Sequence, residues 1–191
     1  MIVVLDACVL YPPSLRDLLL TLAALDAFDI RWSEPILDEV ARNVLADNPD
    51  IYPARFARHT LGAMRAAFPE AMTAVKPAVV ENLDNDPKDR HVAAVAITAN
   101  ANGLVTLNTR DFRSRVLRTA GVAILTPGKL LEGVLDDSPE VAVLAVRHLA
   151  ARWIDPPRTP RQIATDLAVH PTMGPPLRRL RTLLPADDPA R

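Results

Sequence analysis

Cysteine is almost missing from these 191 residues. Cys8 stands alone, so no disulfide can form within the chain, and a reducing cytoplasm is the expected setting. Aromatic residues make up only 4%, and no apolar run approaches the roughly 20 residues needed to cross a bilayer. The first run, Ile2 to Leu5, is cut off by Asp6, which argues against both a signal peptide and a span. A strong charge is lacking too: at −1 overall, the chain has no bulk attraction for a polyanion. The balance is uneven, however. Residues 138–191 hold eight arginines against five acids, leaving 14 basic and 18 acidic residues in 1–137. No His/Cys spacing suggests zinc, and Cys8 reads as a small buried filler.

What is present is a globular, Ala/Leu/Val-rich chain, 49% hydrophobic, long enough for one domain with an appendage. Ile2 to Leu5 has the continuous apolar look of a strand buried on both faces. Ser14, with Asp17 three residues on, predicts a capped helix to about Leu25. Asp29 to Trp32 is a short second strand, and Ser33 with Pro35 opens a helix whose stripe is Ile36, Leu37, Val40 and Val44. Four prolines (49, 53, 69 and 77) chop the next stretch, where Arg55 to Phe68 is the best helix. Asp86-Pro87 then starts a helix expected to stop at Asn102-Gly103. Strands follow at Leu104–Leu107 and Val122–Leu125, and Thr126-Pro127 caps a helix to about Val134. Beyond Ser138 only helices are expected: one to about Trp153, one behind the Thr159–Gln162 capping box, and one carrying Arg178, Arg179 and Arg181. The reading is an α/β domain over 1–137, with a parallel sheet flanked by helices, and an α-helical extension over 138–191.

Sites on such sheets lie beyond the carboxyl ends of the strands, and acids collect there. Asp6 follows the first strand and Asp111 follows the 104–107 strand. Asp89 shares its helix face with Val92, Ala93 and Ala96, so it points inward, whereas His91 falls opposite and is expected to be exposed. Glu39 flanks the apolar stripe of its helix, while Asp38 lies nearly opposite it and reads as solvated. Carboxylates converging without lysine partners repel one another, and an oxygen-seeking divalent ion, Mg²⁺ or Mn²⁺, removes the conflict. Such ions activate water for in-line attack on a phosphodiester.

Four stretches resemble, in order, the acidic motifs of PIN domains. They are Val4-Leu5-Asp6-Ala7-Cys8-Val9-Leu10, the Ser33–Asn43 helix with Glu39, Asp86-Pro87-Lys88-Asp89-Arg90-His91, and Val105-Thr106-Leu107-Asn108-Thr109-Arg110-Asp111-Phe112. The resemblance covers about residues 1–135. It implies a twisted parallel sheet and a Mg²⁺- or Mn²⁺-dependent ribonuclease, most often the VapC-like toxin of a toxin–antitoxin pair. On that likeness Asp6, Glu39, Asp89 and Asp111 are the catalytic metal ligands, RNA is the substrate, and an antitoxin and a second copy are the expected partners. Many members carry an acid where Asn108 stands, so Asn108 becomes a neutral polar contact and Asp111 the fourth ligand. Thr106, Asp86 and Arg16 are candidate supporting contacts, Asp86 chiefly as a helix cap. Asn108 leaves room for a rival, a catalytically weak or inactive RNA-binding module on the same fold. A receiver- or phosphatase-like pocket would need a lysine beyond a later strand, and Lys129 lies too far into a helix.

Overall fold

The computed structural model describes residues 1–47 and 53–186. The chain divides into two compact units, a sheet unit (Met1–Tyr11 and Asp29–Leu125) and a helical unit (Pro12–Phe28 and Thr126–Arg191). In chain order, β1 (Ile2–Leu5) leads into α1 (Ala7–Leu10) and α2 (Pro13–Ala24), then β2 (Asp29–Arg31) and α3 (Glu34–Asp47). Next come α4 (Pro53–Phe56), a π-helical turn (Ala57–Leu61), α5 (Gly62–Ala67), a 3₁₀ turn (Pro69–Ala71) and α6 (Pro77–Glu81). A second 3₁₀ turn (Pro87–Asp89) leads into α7 (Arg90–Thr98), β3 (Gly103–Val105), α8 (Arg115–Thr119) and β4 (Ala123–Leu125). Four helices close the chain: α9 (Pro127–Asp137), α10 (Pro139–Ala151), α11 (Pro160–Leu167) and α12 (Gly174–Leu183). No helix among the described residues is long and apolar enough to cross a membrane.

In the sheet unit all strand pairs are parallel, in the order β2-β1-β3-β4. The inner strands β1 and β3 are the most apolar and the most buried, as a sheet covered on both faces requires. Helix α7 packs on both through Val92, Ala93, Val95 and Ala96, whose small side chains allow close approach. The α3 stripe is buried as its spacing predicts. The proline-chopped region is tied to β2 and α3 by the edge-on ring contact of Trp32 with Phe68 at 6.0 Å, a parallel bridge from Trp32 to Met72, and the two-pronged Arg65–Glu34 ion pair. Pro49 lies outside the described residues.

Several boundaries differ from the sequence reading. Helix α7 ends at Thr98 rather than near Gly103. Asn100 takes the left-handed conformation at φ 49°, the Ala101 N–H reaches the Ala96 carbonyl, and the Asn100 N–H reaches Ile97. That pair of bonds is a Schellman cap with asparagine in the place usually held by glycine. Gly103 is instead the first residue of β3, where a Cβ would come within 2.9 Å of Leu125 Cδ1. Ser33 precedes α3, but its hydroxyl is buried without a hydrogen-bond partner and caps nothing. Ser14 lies inside α2, and its hydroxyl meets His170 Nε2 at 2.7 Å. The short helix α1 has no periodic signal in four residues and was not foreseen.

Within the helical unit α2 packs on α10, α9 on α10 and α12, and α11 on both α10 and α12. Thr126 caps α9 by accepting from the Lys129 N–H, and Thr159 and Gln162 form the expected capping box. Gly128 is required here: a Cβ would stand 2.0 Å from the Thr172 carbonyl oxygen, and its N–H donates to Thr172 Oγ1 at 3.1 Å. Thr172 itself is left-handed, φ 68°, a strained conformation for a β-branched residue. Arg16 is buried in this unit with its guanidinium 3.9 Å from Asp17, and burial lowers its pKa. Arg179 bonds the Asp136 carboxylate and the Leu135 carbonyl, so the arginine cluster on α12 is partly engaged.

Candidate functional site

The connection from β1 to β2 runs one way across the sheet and that from β3 to β4 the other, so the switch point lies between β1 and β3. Asp6 and Thr106 stand directly beyond the carboxyl ends of those two strands. Both are held by one further rung of the ladder: the Asp6 N–H donates to the Val105 carbonyl at 3.1 Å, and the Thr106 N–H to the Leu125 carbonyl at 2.9 Å. Thr106, fully buried, donates its hydroxyl to Asp6 Oδ2 at 2.7 Å and accepts from the Asn108 N–H at 2.9 Å. The first turn of α1 swings Cys8 back, so that its thiol donates to the same Oδ2 at 3.1 Å while Sγ accepts from the Leu107 N–H at 3.2 Å. Burial, and then the Asp6 charge, push the Cys8 thiol up to about 12, so it stays protonated and remains a donor. Both donors thus converge on one oxygen of Asp6, leaving Oδ1 to face outward contacts.

Asp89 closes the 3₁₀ turn and is the N-cap residue of α7, yet its side chain makes no cap hydrogen bond. The carboxylate therefore does not cap its own helix, although a negative charge at this end still suits the helix dipole. Its Oδ2 is buried without a hydrogen-bond partner among the described residues. Burial raises its pKa first of all. The charges of Asp111, Asp6 and Asp86 raise it further, against an opposing pull from Lys88. These three neighbours place Asp6, Asp89 and Asp111 in one electrostatic neighbourhood. Asp86 acts as a cap, as expected, accepting from the Lys88 N–H at 3.1 Å. Asp111 is set by a turn in which its N–H donates to the Asn108 carbonyl, and Asn108 itself is exposed.

Glu39 is not among the charges acting on Asp89. It is half-buried, with Oε2 3.2 Å from His91 Nε2 but out of line for a hydrogen bond. The His91 Nδ1 sits 2.8 Å from the Lys88 carbonyl. A carbonyl can only accept, so Nδ1 carries a proton and Nε2 turns to Glu39. The expectation that His91 is exposed is therefore corrected: the turn that presents Asp89 rotates the imidazole towards α3. Cys8 and His91 are the site neighbours that sequence reasoning passed over. Their signal was proximity alone, Cys8 two residues from Asp6 and His91 two from Asp89.

Among the described residues no three His, Cys, Asp or Glu side chains are gathered into a group that already holds the shape of a metal site. The donor chemistry still fits a hard divalent cation: several carboxylates with only Lys88 to offset them at Asp89, whose Oδ2 is buried without a hydrogen-bond partner among the described residues. A cavity of about 520 Å³, walled mainly by apolar groups such as Pro35, Met72, Val75 and Val80, meets this region only at His91.

A family model described as "PIN domain" matches residues 2–110, more than half of the chain. It takes in Asp6, Glu39, Asp89 and Asn108 and stops one residue short of Asp111. A protein of Mycobacterium tuberculosis (strain ATCC 25618 / H37Rv) named "Putative ribonuclease VapC50" is 30% identical over 89 residues, which are 47% of this chain and 53% of that protein. The match thus spans about half the length of this curated relative. No solved structure matches the chain.

Proposed function

The chain belongs to the PIN-domain family, and from that premise we propose that it is a Mg²⁺- or Mn²⁺-dependent endoribonuclease, the toxin of a toxin–antitoxin pair. The observation that carries this reading is Asp89: a carboxylate at the switch point of the sheet whose buried Oδ2 has no hydrogen-bond partner among the described residues, its pKa raised by burial first and then by Asp111 and Asp6 against the pull of Lys88. An acid with a buried oxygen, offset only in part by Lys88, points to a positively charged ligand. Asp6, Asp89 and Asp111 would hold the ion, with Glu39 as a fourth ligand once it parts from His91. When bound, the ion supplies Lewis acidity and lowers the pKa of water enough for attack on a phosphodiester.

The chain's own groups do the positioning. Thr106 and Cys8 clamp Oδ2 of Asp6, so Oδ1 presents in one direction. The 3₁₀ turn and its Asp86 cap hold Asp89 at the head of α7, and Glu39 Oε2 lies 3.2 Å from His91 Nε2. Cleavage of RNA in Mn²⁺, compared between wild type and the Asp6→Asn and Asp89→Asn variants, tests the reading. Each substitution is expected to lower turnover by at least about a hundredfold; undiminished activity in either one overturns it. The toxin assignment predicts a small adjacent reading frame whose product blocks that cleavage.

We further place the nuclease module at 1–137 with 138–191 as an appended extension, and assign a cytoplasmic location and a homodimer. A second reading, RNA binding without turnover, is favoured by Asn108, a neutral amide where many PIN domains carry an acid. Tight RNA binding with no product in Mn²⁺ would select it.

A further inference from the structure

The segment that leaves the site carries four arginines in nine residues: Arg110, Arg113, Arg115 and Arg118, with Asp111 as the one acid among them. Net charge here is strongly positive within a sequence half, 1–137, that is acidic overall. All four residues are exposed, and no guanidinium among them meets a hydrogen-bond or ion-pair partner among the described residues. Some other arginines are paired: Arg65 with Glu34, Arg158 with Asp166 and Arg179 with Asp136.

The backbone under these side chains is firmly fixed. Phe112, Ser114 and Leu117 are buried, 2%, 1% and 1% exposed, while the four arginines beside them are exposed. Ser114 caps α8 by accepting from the Leu117 N–H at 3.2 Å. Its hydroxyl donates to Asp84, whose second oxygen accepts from the Arg115 N–H at 3.0 Å. Those bonds hold the Asp84 carboxyl below its ordinary pKa. The acid that touches the segment is therefore occupied with its framework and leaves the guanidiniums free. Arg115 and Arg118, three apart on α8, stand as neighbours on one face about 5–6 Å apart at Cβ. Arg110 and Arg113 span the preceding turn, in which the Arg113 N–H reaches the Arg110 carbonyl.

We infer that Arg110, Arg113, Arg115 and Arg118 form a phosphate track that carries a single RNA strand away from Asp111. The track rests on the ribonuclease reading for the identity of its polyanion, and RNA is favoured over an acidic protein because the arginines run on directly from a site carboxylate. Guanidiniums on a rigid, sequence-blind platform match a backbone of regularly repeated charges.

The test is fluorescence anisotropy of a 5′-labelled 16-nucleotide single-stranded RNA on the full chain without divalent metal, repeated across KCl concentrations. The comparison is wild type against the Arg113→Gln/Arg115→Gln pair and the fourfold Arg→Gln variant. Each lost arginine is expected to lower the slope of log affinity against log salt by about 0.7, and affinity at 0.1 M salt by about fivefold. Thermal melting verifies that the variants fold. A slope unchanged in the fourfold variant, or no RNA binding by wild type, overturns the inference. Unchanged RNA binding with weakened binding of the adjacent frame's product would assign the face to a protein instead and also overturns it. Cleavage by wild type in Mn²⁺ is scored separately: arginine-dependent binding without cleavage sinks the nuclease reading and leaves the track standing, whereas cleavage with an arginine-independent slope does the reverse.

Discussion

Replacing Thr106 by valine removes one hydroxyl and changes almost nothing in volume. That hydroxyl donates to a carboxylate from a fully buried position, at 2.7 Å. Hydrogen bonds to charged groups contribute about 1.5–3 kcal/mol, and the Asp6 oxygen would be left with the weaker thiol donor alone. The second lost bond matters less, because the Asn108 N–H belongs to an exposed residue and water can replace the hydroxyl. A loss of about 2 kcal/mol is therefore expected, roughly 4–8 °C in the melting temperature of a chain of this size. Thr106→Ser keeps the donor and should recover most of it. The sharper measurement is a double-mutant cycle with Asp6→Asn, read by urea unfolding. Since a neutral amide gains less from the hydroxyl, the two changes should fall short of additivity by about 1–2 kcal/mol. Strict additivity, or a Thr106→Val variant within 1 °C of wild type, would refute the claim that this bond organises the carboxylate.

Asp89 gives a pH signature. Its folded-state pKa is raised, so the folded protein holds that proton more tightly than the unfolded chain does, and stability attributable to this group falls as pH rises from the ordinary carboxyl value through the raised one. Asp89→Asn in metal-free buffer should therefore melt higher than wild type at pH 7, with the gain vanishing near pH 3; a lower melting temperature at pH 7 would contradict this. Cys8, pushed up to about 12, should resist iodoacetamide at pH 8 in the folded chain and react only after unfolding, as mass spectrometry would record. Gly128→Ala drives a Cβ into the Thr172 carbonyl and should destabilise the helical unit by more than about 2 kcal/mol, visible as a lowered melting temperature.

The parts of the fold that were legible in the sequence are those where one strong local rule operates. The apolar run at Ile2–Leu5, the α3 stripe and the Thr159–Gln162 box each state their own structure, whereas the strand expected at 104–107 is shifted to Gly103–Val105. Asn100 hid the end of α7 because asparagine is only a second choice for the left-handed position, and Gly103 nearby offered a more obvious stop that packing against Leu125 had already claimed. Val92, Ala93 and Ala96 are buried as helical periodicity requires, whereas Asp89 stands ahead of the helix, in the 3₁₀ turn. The Glu39–His91 contact did not follow: it depends on how α3 meets α7, a three-dimensional fact with no periodic trace. Cys8 is half-buried rather than the buried filler expected, and its part as a donor was not legible because the turn that folds it back on Asp6 is only four residues long.

The place of α2 has a consequence for how the chain is made. Its leucines at 15, 18, 19 and 22 are buried in a unit whose other helices begin at Pro127, yet it is synthesised between β1 and β2. On a ribosome adding about 5–20 residues each second, this leucine ridge emerges on the order of ten seconds before α10, the helix it packs against. During that interval the nascent chain carries an unmatched greasy surface, and any stop codon ahead of α10 makes the condition permanent. Shortened products should therefore be the species that chaperones and proteases meet.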